Sequence, residues 1–236
     1  MSEPRDAHPP LVLVVDDETP IRRFLKAALD GNGYRVLEAE SARDALREAA
    51  TRSPDLVLLD LGLPDLDGVE VTRRLREWSG VPIVVVSARG QERDKIAALD
   101  AGADDYVTKP FAMGELMARM RVALRHRARL ADGTEESVVT VGGLTLDLGK
   151  REVRVDGREV RLTPTEFRLL AMLARHRGRV LTHDQVLKEV WGPSYVSHHH
   201  NLRVCMSQLR HKLEADPSRP RLLMTEPGVG YRLREE

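Results

Sequence analysis

The first half of the chain alternates short apolar segments with amphipathic ones, and this alternation is the strongest constraint on its fold. Apolar runs that end in polar loops predict strands at residues 11–15, 34–39, 55–59, 81–87 and 105–108. Apolar residues at helical spacing predict helices at residues 21–29, 69–78, 95–101 and 115–127. Five strands that alternate with helical segments predict an α/β fold: a doubly wound, five-stranded parallel sheet covered on both faces.

The pattern changes after residue 127. A polar, aperiodic stretch at residues 128–137 is predicted to be a linker. Beyond it we expect four short antiparallel strands, three helices that begin near residues 163, 182 and 197, and a closing hairpin that turns at residues 227–230. The predicted organisation is therefore a disordered extension (1–10), a first domain (11–127), the linker, and a second domain (138–236).

The formal net charge of zero hides an asymmetry between the two halves. Residues 1–125 carry 18 Lys/Arg and 22 Asp/Glu, whereas residues 126–236 carry 19 and 15. A basic second half favours a polyanionic partner such as DNA. With Cys205 as the only cysteine, and without an apolar run long enough to span a membrane or form a signal-peptide core, we expect a cytoplasmic protein without a membrane partner.

Polar side chains stand where four of the predicted strands end. Asp16 and Asp17 follow the first strand, Asp60 the third, Ser87 ends the fourth, and Lys109 follows the fifth. Because the carboxyl ends of parallel strands meet at one edge of a sheet, we expect these residues to converge. Clustered carboxylates with open positions suit Mg²⁺, and a free oxygen of Asp60 could accept a phosphoryl group while Lys109 neutralises charge. No phosphate-binding Gly-rich loop is present, so the donor is expected to be another protein.

Several motifs in this half resemble the receiver domain of response regulators, over residues 11–125. They are Asp16-Asp17, Asp60 with Leu63-Pro64 and Asp67-Gly68, Ser87-Ala88, and Lys109-Pro110-Phe111. The resemblance implies that Asp60 is the phosphoacceptor and that Mg²⁺ is held by Asp16, Asp17, Asp60 and the Gly62 carbonyl. It also implies phosphate-responsive or switch roles for Ser87, Ala88, Tyr106 and Lys109, with a cis peptide at Lys109-Pro110.

The second half resembles the winged-helix DNA-binding domain of the OmpR/PhoB family, over residues 138–236. The motifs are Leu162–Phe167, Val190-Trp191-Gly192, Leu209–Leu213 and Gly228–Arg232. The third helix is the expected DNA reader, through base edges and phosphates. Its candidate contacts, with one in the wing, are His200, Asn201, Arg203, Val204, Ser207, Gln208, Arg210, His211 and Arg232. Pro227 stands where some relatives carry an arginine, so weaker wing contacts are expected. Three consecutive histidines, residues 198–200, cannot share one helical face, which disfavours a metal site there.

The resemblance also implies partners. Phosphorylation is expected to produce a homodimer through opposite charges, which are Lys95 with Glu115, Asp100 with Arg121, and Asp105 with Arg119. A cognate sensor histidine kinase, promoter DNA, and RNA polymerase at residues 191–196 complete the expected set.

Longer strings at residues 21–29, 54–64, 95–106 and 209–220 resemble potassium-transport regulators of this family. The protein is therefore predicted to be a transcription factor that controls potassium-transport genes. It is not expected to be an enzyme, apart from slow autodephosphorylation. The alternatives are a regulator of another operon, a metal-dependent phosphatase built on the same carboxylates, and a constitutive DNA-binding protein with a degenerate receiver.

Overall fold

A computed structural model describes residues 9–131 and 137–235. The chain divides near residue 128 into two compact units. Most of the extension predicted over residues 1–10 lies outside the described residues. Among the described residues, no helix combines the length and apolar character needed to cross a membrane.

The first unit is the expected parallel sheet. Its strands are β1 (Leu11–Val15), β2 (Arg35–Ala39), β3 (Leu56–Leu59), β4 (Ile83–Ser87) and β5 (Asp105–Thr108). They are all parallel, in the order β2-β1-β3-β4-β5. The helices are α1 (Thr19–Asp30), α2 (Ala42–Arg52), α3 (Gly68–Arg76), α4 (Glu92–Asp100) and α5 (Met113–Ala131). The predicted α/β class is confirmed.

Alternate residues of the central strands supply two separate cores, because successive side chains of a strand point to opposite faces. Leu13 and Val15 of β1 belong to the core that includes buried residues of α2, α3 and α4. Val12 and Val14 belong to the core that includes Leu25 of α1 and residues of α5. Both faces of the sheet are thus buried. The polar side chains considered below stand at the ends of its strands.

The second unit has one core beneath two small sheets and three helices. The four-stranded sheet contains β6 (Val138–Val141), β7 (Leu144–Asp147), β8 (Glu152–Val155) and β9 (Arg158–Glu159). The helices are α6 (Pro164–Arg175), α7 (His183–Val190) and α8 (His199–Leu213). A second sheet, in the order β10-β12-β11, is built from β10 (Leu181–Thr182), β11 (Leu223–Glu226) and β12 (Gly230–Leu233). The expected order of strands, helices and hairpin is present, and β10 is an addition that was not predicted.

The predicted linker is wrong in its first part. Helix α5 continues to Ala131, so residues 128–131 are helical, whereas residues 132–136 lie outside the described residues. The physical reason is propensity: Ala, Arg and Leu at these positions are strong helix formers, and no breaker precedes Gly133.

The start of α6 is held by a capping box joined to an ion pair. Glu166 Oε2 accepts the backbone N–H of Thr163 at 2.7 Å and lies 2.7 Å from Lys212 Nζ of α8. Burial raises the pKa of the buried Glu166 carboxyl, but the Lys212 ammonium and the Thr163 N–H outweigh it, so this pKa lies below its usual 4.5. Glu166 is therefore ionised in the folded unit and ties α6 to α8.

Replacing Glu166 with Gln should destabilise the second unit by about 2 kcal/mol at pH 7, because a charge-assisted hydrogen bond is lost. The folded pKa lies below the unfolded one, so the wild-type contribution is complete above about pH 4.5 and is lost as the pH falls through the folded pKa. Urea unfolding should be followed by Trp191 fluorescence in a Trp78→Phe background. Glu159→Gln, at an exposed position, is the control; a deficit for Glu166→Gln that persists undiminished to pH 3 would contradict the linkage.

Candidate functional site

Three carboxylates converge at one edge of the parallel sheet. Asp16 and Asp17 directly follow β1, and Asp60 directly follows the neighbouring β3. One carboxylate oxygen of each lies within 4.8 Å of those of the other two. Asp16 and Asp60 are only 2% and 7% exposed, whereas Asp17 is exposed. Buried like charges this close require a cation.

Lys109, which follows β5, supplies one positive charge to the cluster. Its Nζ lies 2.6 Å from Asp16 Oδ2 and 3.4 Å from Asp60 Oδ2. Burial alone would lower the pKa of Lys109, but the hydrogen bond that it donates to Asp16 and the charges of both aspartates raise this pKa above its ordinary value. For Asp16, burial raises the pKa and the Lys109 ammonium opposes that effect. Lys109 therefore remains charged beside Asp60.

The donor set fits a small, hard divalent cation. Three carboxylates supply hard oxygen ligands, and the exposure of Asp17 leaves one side open for water and phosphate oxygens, as Mg²⁺ prefers. Gly62 also lies against the cluster, since a Cβ atom at this position would be 3.5 Å from Asp60 Oδ2. Gly68 has no room for any side chain, because a Cβ atom would meet the Asp60 carbonyl oxygen at 2.5 Å.

The remaining switch candidates lie on or directly after the neighbouring strands β4 and β5. Ser87 is buried at the end of β4, and its Oγ accepts the backbone N–H of Arg89 at 3.3 Å. Tyr106 is buried in β5, where desolvation raises the pKa of its hydroxyl, and this hydroxyl donates to the Arg89 carbonyl oxygen. The Lys109-Pro110 peptide is cis, as expected. The structure thus brings Ser87 and Tyr106 to one short loop, residues 88–91, beside the carboxylates.

Arg89 was missed by sequence reasoning. Its guanidinium Nη1 lies 2.6 Å from Asp67 Oδ2, so it joins the loop after β4 to the loop after β3, which also contains Asp60. Its partner is 22 residues away along the chain, and no local spacing signals such a pair.

Helix α8 is divided into a buried stripe and an exposed face. Leu202, Cys205, Met206, Leu209 and Leu213 are buried. The candidates that are exposed are His200, Asn201, Arg203, Val204, Ser207, Gln208 and His211. The exposed face is therefore wide enough to present several side chains to a partner at once.

Three of the nine candidate DNA contacts, His211, Arg210 and Arg232, already have partners within the second unit. His211 Nδ1 lies 2.7 Å from the Ser207 carbonyl oxygen of the same helix. Arg210 donates to the Leu223 carbonyl oxygen and to Thr225 Oγ1, each at 2.6 Å from Nη2. Arg232 pairs with Glu226 across the terminal hairpin. Both arginines thus hold the hairpin in place, and a contact with a phosphate would compete with these bonds.

Comparison with known proteins gives two family matches. The response regulator receiver domain matches residues 12–121, and the family described as transcriptional regulatory protein, C terminal, matches residues 157–233. The KDP operon transcriptional regulatory protein KdpE of Escherichia coli is 57% identical over 94% of this chain and 97% of its own length. The chain belongs to the OmpR/PhoB family of response regulators. It accordingly has a receiver domain and a DNA-binding domain that regulates transcription.

Other relatives agree with this assignment. The transcriptional regulatory protein KdpE of Mycobacterium tuberculosis is 52% identical to this response regulator, over 94% of this chain and 98% of its own. A solved structure of a RitR mutant covers 96% of this chain and 100% of its own, with 25% identity and a TM-score of 0.50.

The charged residues predicted to form a dimer interface lie on α4, β5 and α5 of this response regulator. They are Lys95, Asp100, Asp105, Glu115, Arg119 and Arg121. One predicted pair is closed within the chain: Arg119 Nη1 lies 2.8 Å from both carboxylate oxygens of the buried Asp105, and its Nη2 lies 2.8 Å from Glu115. Arg121 is exposed on α5 and Asp100 is exposed at the end of α4. Asp105 and Arg119 therefore stabilise the receiver itself.

Proposed function

We propose that Asp60 accepts a phosphoryl group from a sensor histidine kinase and that this modification controls DNA binding by the second unit. The observation that carries the proposal is the convergence of Asp16, Asp17 and Asp60 with Lys109 at the carboxyl edge of the sheet. A nucleophilic carboxylate, a metal-binding group and a fixed cation are the parts that phosphoryl transfer requires.

The transfer itself needs little covalent chemistry from the chain. A carboxylate oxygen of Asp60 attacks phosphorus, the O–P bond forms, and the P–N bond of the kinase phosphohistidine breaks with the electron pair leaving on the imidazole. Mg²⁺ held by Asp16, Asp17, Asp60 and the Gly62 carbonyl would neutralise charge on the phosphoryl oxygens. In this proposal, Lys109 pairs with one phosphoryl oxygen and the Ser87 hydroxyl donates to another. Attack of water on the phosphoaspartate would give slow autodephosphorylation.

The signal leaves the site through Tyr106 and its neighbours. Its hydroxyl is bonded to the loop that follows Ser87, and Lys95 Nζ of α4 lies 6.0 Å from the centre of its ring. A movement of Ser87 or of Ala88 beside it toward a phosphoryl group would therefore reach α4. Such coupling requires two states that phosphate stabilises differently.

The two KdpE relatives suggest the target genes. The name of the Escherichia coli relative ties that protein to the KDP operon. We propose that this chain binds a promoter of potassium-transport (kdp) genes and receives its phosphoryl group from a KdpD-like sensor kinase. The turn Pro193–Tyr195 before α8 exposes Tyr195 and is the proposed contact with RNA polymerase. A phosphatase would use the same carboxylates, but it would leave the exposed face of α8 without a purpose.

The phosphoacceptor proposal is tested by peptide mapping after incubation with Mg²⁺ and a small phosphodonor. We expect one phosphoryl group per chain, on Asp60, and little turnover of the donor beyond that. Continuous multiple turnover of a phosphomonoester by the chain would instead support the phosphatase.

The dimer proposal is best tested at Asp100 and Arg121, because reversing Arg119 would leave the buried Asp105 carboxylate unpaired. In a two-fold dimer this pair occurs twice, so Asp100→Arg or Arg121→Asp alone should weaken phosphorylation-dependent association about tenfold or more. The double variant should restore it, as sedimentation velocity would show. Association that is unchanged in both single variants would contradict this interface.

A further inference from the structure

We propose that Arg22 is the positioning residue of the metal site: it holds the backbone of Asp16 and Asp17 in the form that turns both carboxylates toward Asp60. The inference rests on the proposed function, because it concerns the same Mg²⁺ site. Arg22 lies in the first turns of α1 and is only 8% exposed. It donates hydrogen bonds to backbone carbonyls, to Thr19 and to Glu40, and not to the three carboxylates of the site.

The contacts of Arg22 are with the backbone of the acidic pair. Its Nη1 donates to the carbonyl oxygen of Asp16 at 2.7 Å and to that of Asp17 at 3.0 Å. Its Nη2 donates to Thr19 Oγ1 at 3.2 Å, which ties the same guanidinium to the start of α1. One rigid, planar group therefore spans two successive peptide units and the helix that follows them.

The geometry of a strand makes this support necessary. Successive side chains of an extended strand point to opposite faces, so two neighbouring aspartates would not ordinarily meet at one site. Here the oxygens of Asp16 and Asp17 lie within 4.8 Å of each other and of Asp60. The backbone must leave the extended path between β1 and α1, and Arg22 binds the two carbonyl oxygens at this point. Removal of the Arg22 guanidinium would also leave the buried Asp16 carbonyl oxygen without the hydrogen bond that it now accepts.

The charge of Arg22 is offset by acidic residues of β2 and the turn after it. Its Nη2 lies 3.5 Å from Glu40 Oε2, and its Nε lies 3.8 Å from Glu38 Oε2. Lys26 Nζ contacts the other carboxylate oxygen of Glu38, Oε1, at 3.0 Å. This arrangement allows a cation to sit behind a cation-binding site. The charge of Arg22 and its positioning role have opposite effects on Mg²⁺ binding. If Arg22 acted through its charge, its removal would tighten Mg²⁺ binding, whereas loss of its positioning role would weaken Mg²⁺ binding.

The test compares Arg22→Met with Arg23→Met in the full chain. Arg23 is the exposed neighbour on α1, so its substitution removes one positive charge from the adjacent residue of the same helix. Titration with Mg²⁺ by calorimetry should show a dissociation constant raised about 10- to 100-fold for Arg22→Met, as for other supports of metal ligands. Arg23→Met should show an unchanged or slightly lower constant. Arg22→Lys, which keeps the charge without the fork, should fall between Arg22→Met and wild type, and it carries the test if Arg22→Met does not fold.

A second readout separates positioning from general stability. The rise in unfolding temperature on adding Mg²⁺ should shrink in Arg22→Met and Arg22→Lys, whereas a merely structural role would lower the unfolding temperature with and without Mg²⁺ by the same amount. Unchanged or tighter Mg²⁺ binding in both Arg22 variants would overturn the inference. If wild type itself shows no Mg²⁺ binding that Asp60→Asn weakens, the proposed function fails instead.

Discussion

Asp60→Asn should abolish the phosphoryl adduct and make DNA binding independent of the phosphodonor. The amide keeps the shape of the carboxylate but is a poor nucleophile and carries no charge for Mg²⁺. In the wild type, phosphorylation should tighten binding to a kdp promoter by about tenfold or more, which corresponds to about 1.4 kcal/mol. Footprinting across that promoter, with and without donor and Mg²⁺, measures both effects.

The control for this variant is Asp30→Asn. Asp30 is exposed at the end of α1, so its substitution removes a carboxylate from the same unit without touching the cluster. The Asp30→Asn variant should be phosphorylated, and its promoter binding should tighten on phosphorylation as that of wild type does. If wild type bound the promoter equally with and without donor and Mg²⁺, DNA binding by the second unit would stand but its control by phosphorylation would be contradicted. A donor response that survives in Asp60→Asn would place the phosphoacceptor elsewhere.

Val204→Glu should weaken promoter binding about 100-fold, whether or not Asp60 is phosphorylated. Val204 is 42% exposed in the middle of the face of α8 that is proposed to read DNA. A carboxylate there would face phosphates and base edges, and a like-charge contact in an interface costs several kcal/mol. Because the side chain is not part of the core, the second unit should unfold at nearly the same denaturant concentration as wild type.

Val138→Glu is the matched control. Val138 is 44% exposed on β6, in the four-stranded sheet of the same unit and not on α8. The substitution, Val to Glu, is the same. The Val138→Glu variant should bind the promoter as wild type does in a fluorescence anisotropy titration. Comparable losses in the two variants would indicate a general charge effect. Full affinity in Val204→Glu would remove α8 as the reader.

Much of the fold follows from periodicity. The apolar run around Leu13 and Val14 contributes neighbouring residues to two cores, and the alternation of such runs with helical segments predicts a parallel sheet. The buried residues of α8 likewise recur at helical spacing. The linker was placed wrongly because residues 128–131 carry no apolar pattern yet have high helix propensity.

The site was predictable for a topological reason. Strands that run in parallel bring their carboxyl ends to one edge, so Asp16, Asp60 and Lys109 could be brought together before any distance was known. What spacing could not reveal is the support of the site. Arg22 and Arg89 are two of many arginines in the chain, and their roles depend on carbonyl and carboxylate groups that are neighbours only in the folded state.

The sequence by itself determined the two-domain organisation, the parallel sheet and the set of side chains at the sheet edge, because periodicity and local chemistry act over a few residues. Only the tertiary structure decided which polar groups satisfy one another. It pairs Arg119 with Asp105 inside the receiver and Arg210 with the terminal hairpin, although both arginines had been assigned to partners outside the chain. The physical reason is that a buried donor must find an acceptor in three dimensions, and several acceptors of equal chemistry compete until strand register and helix packing place one of them within reach.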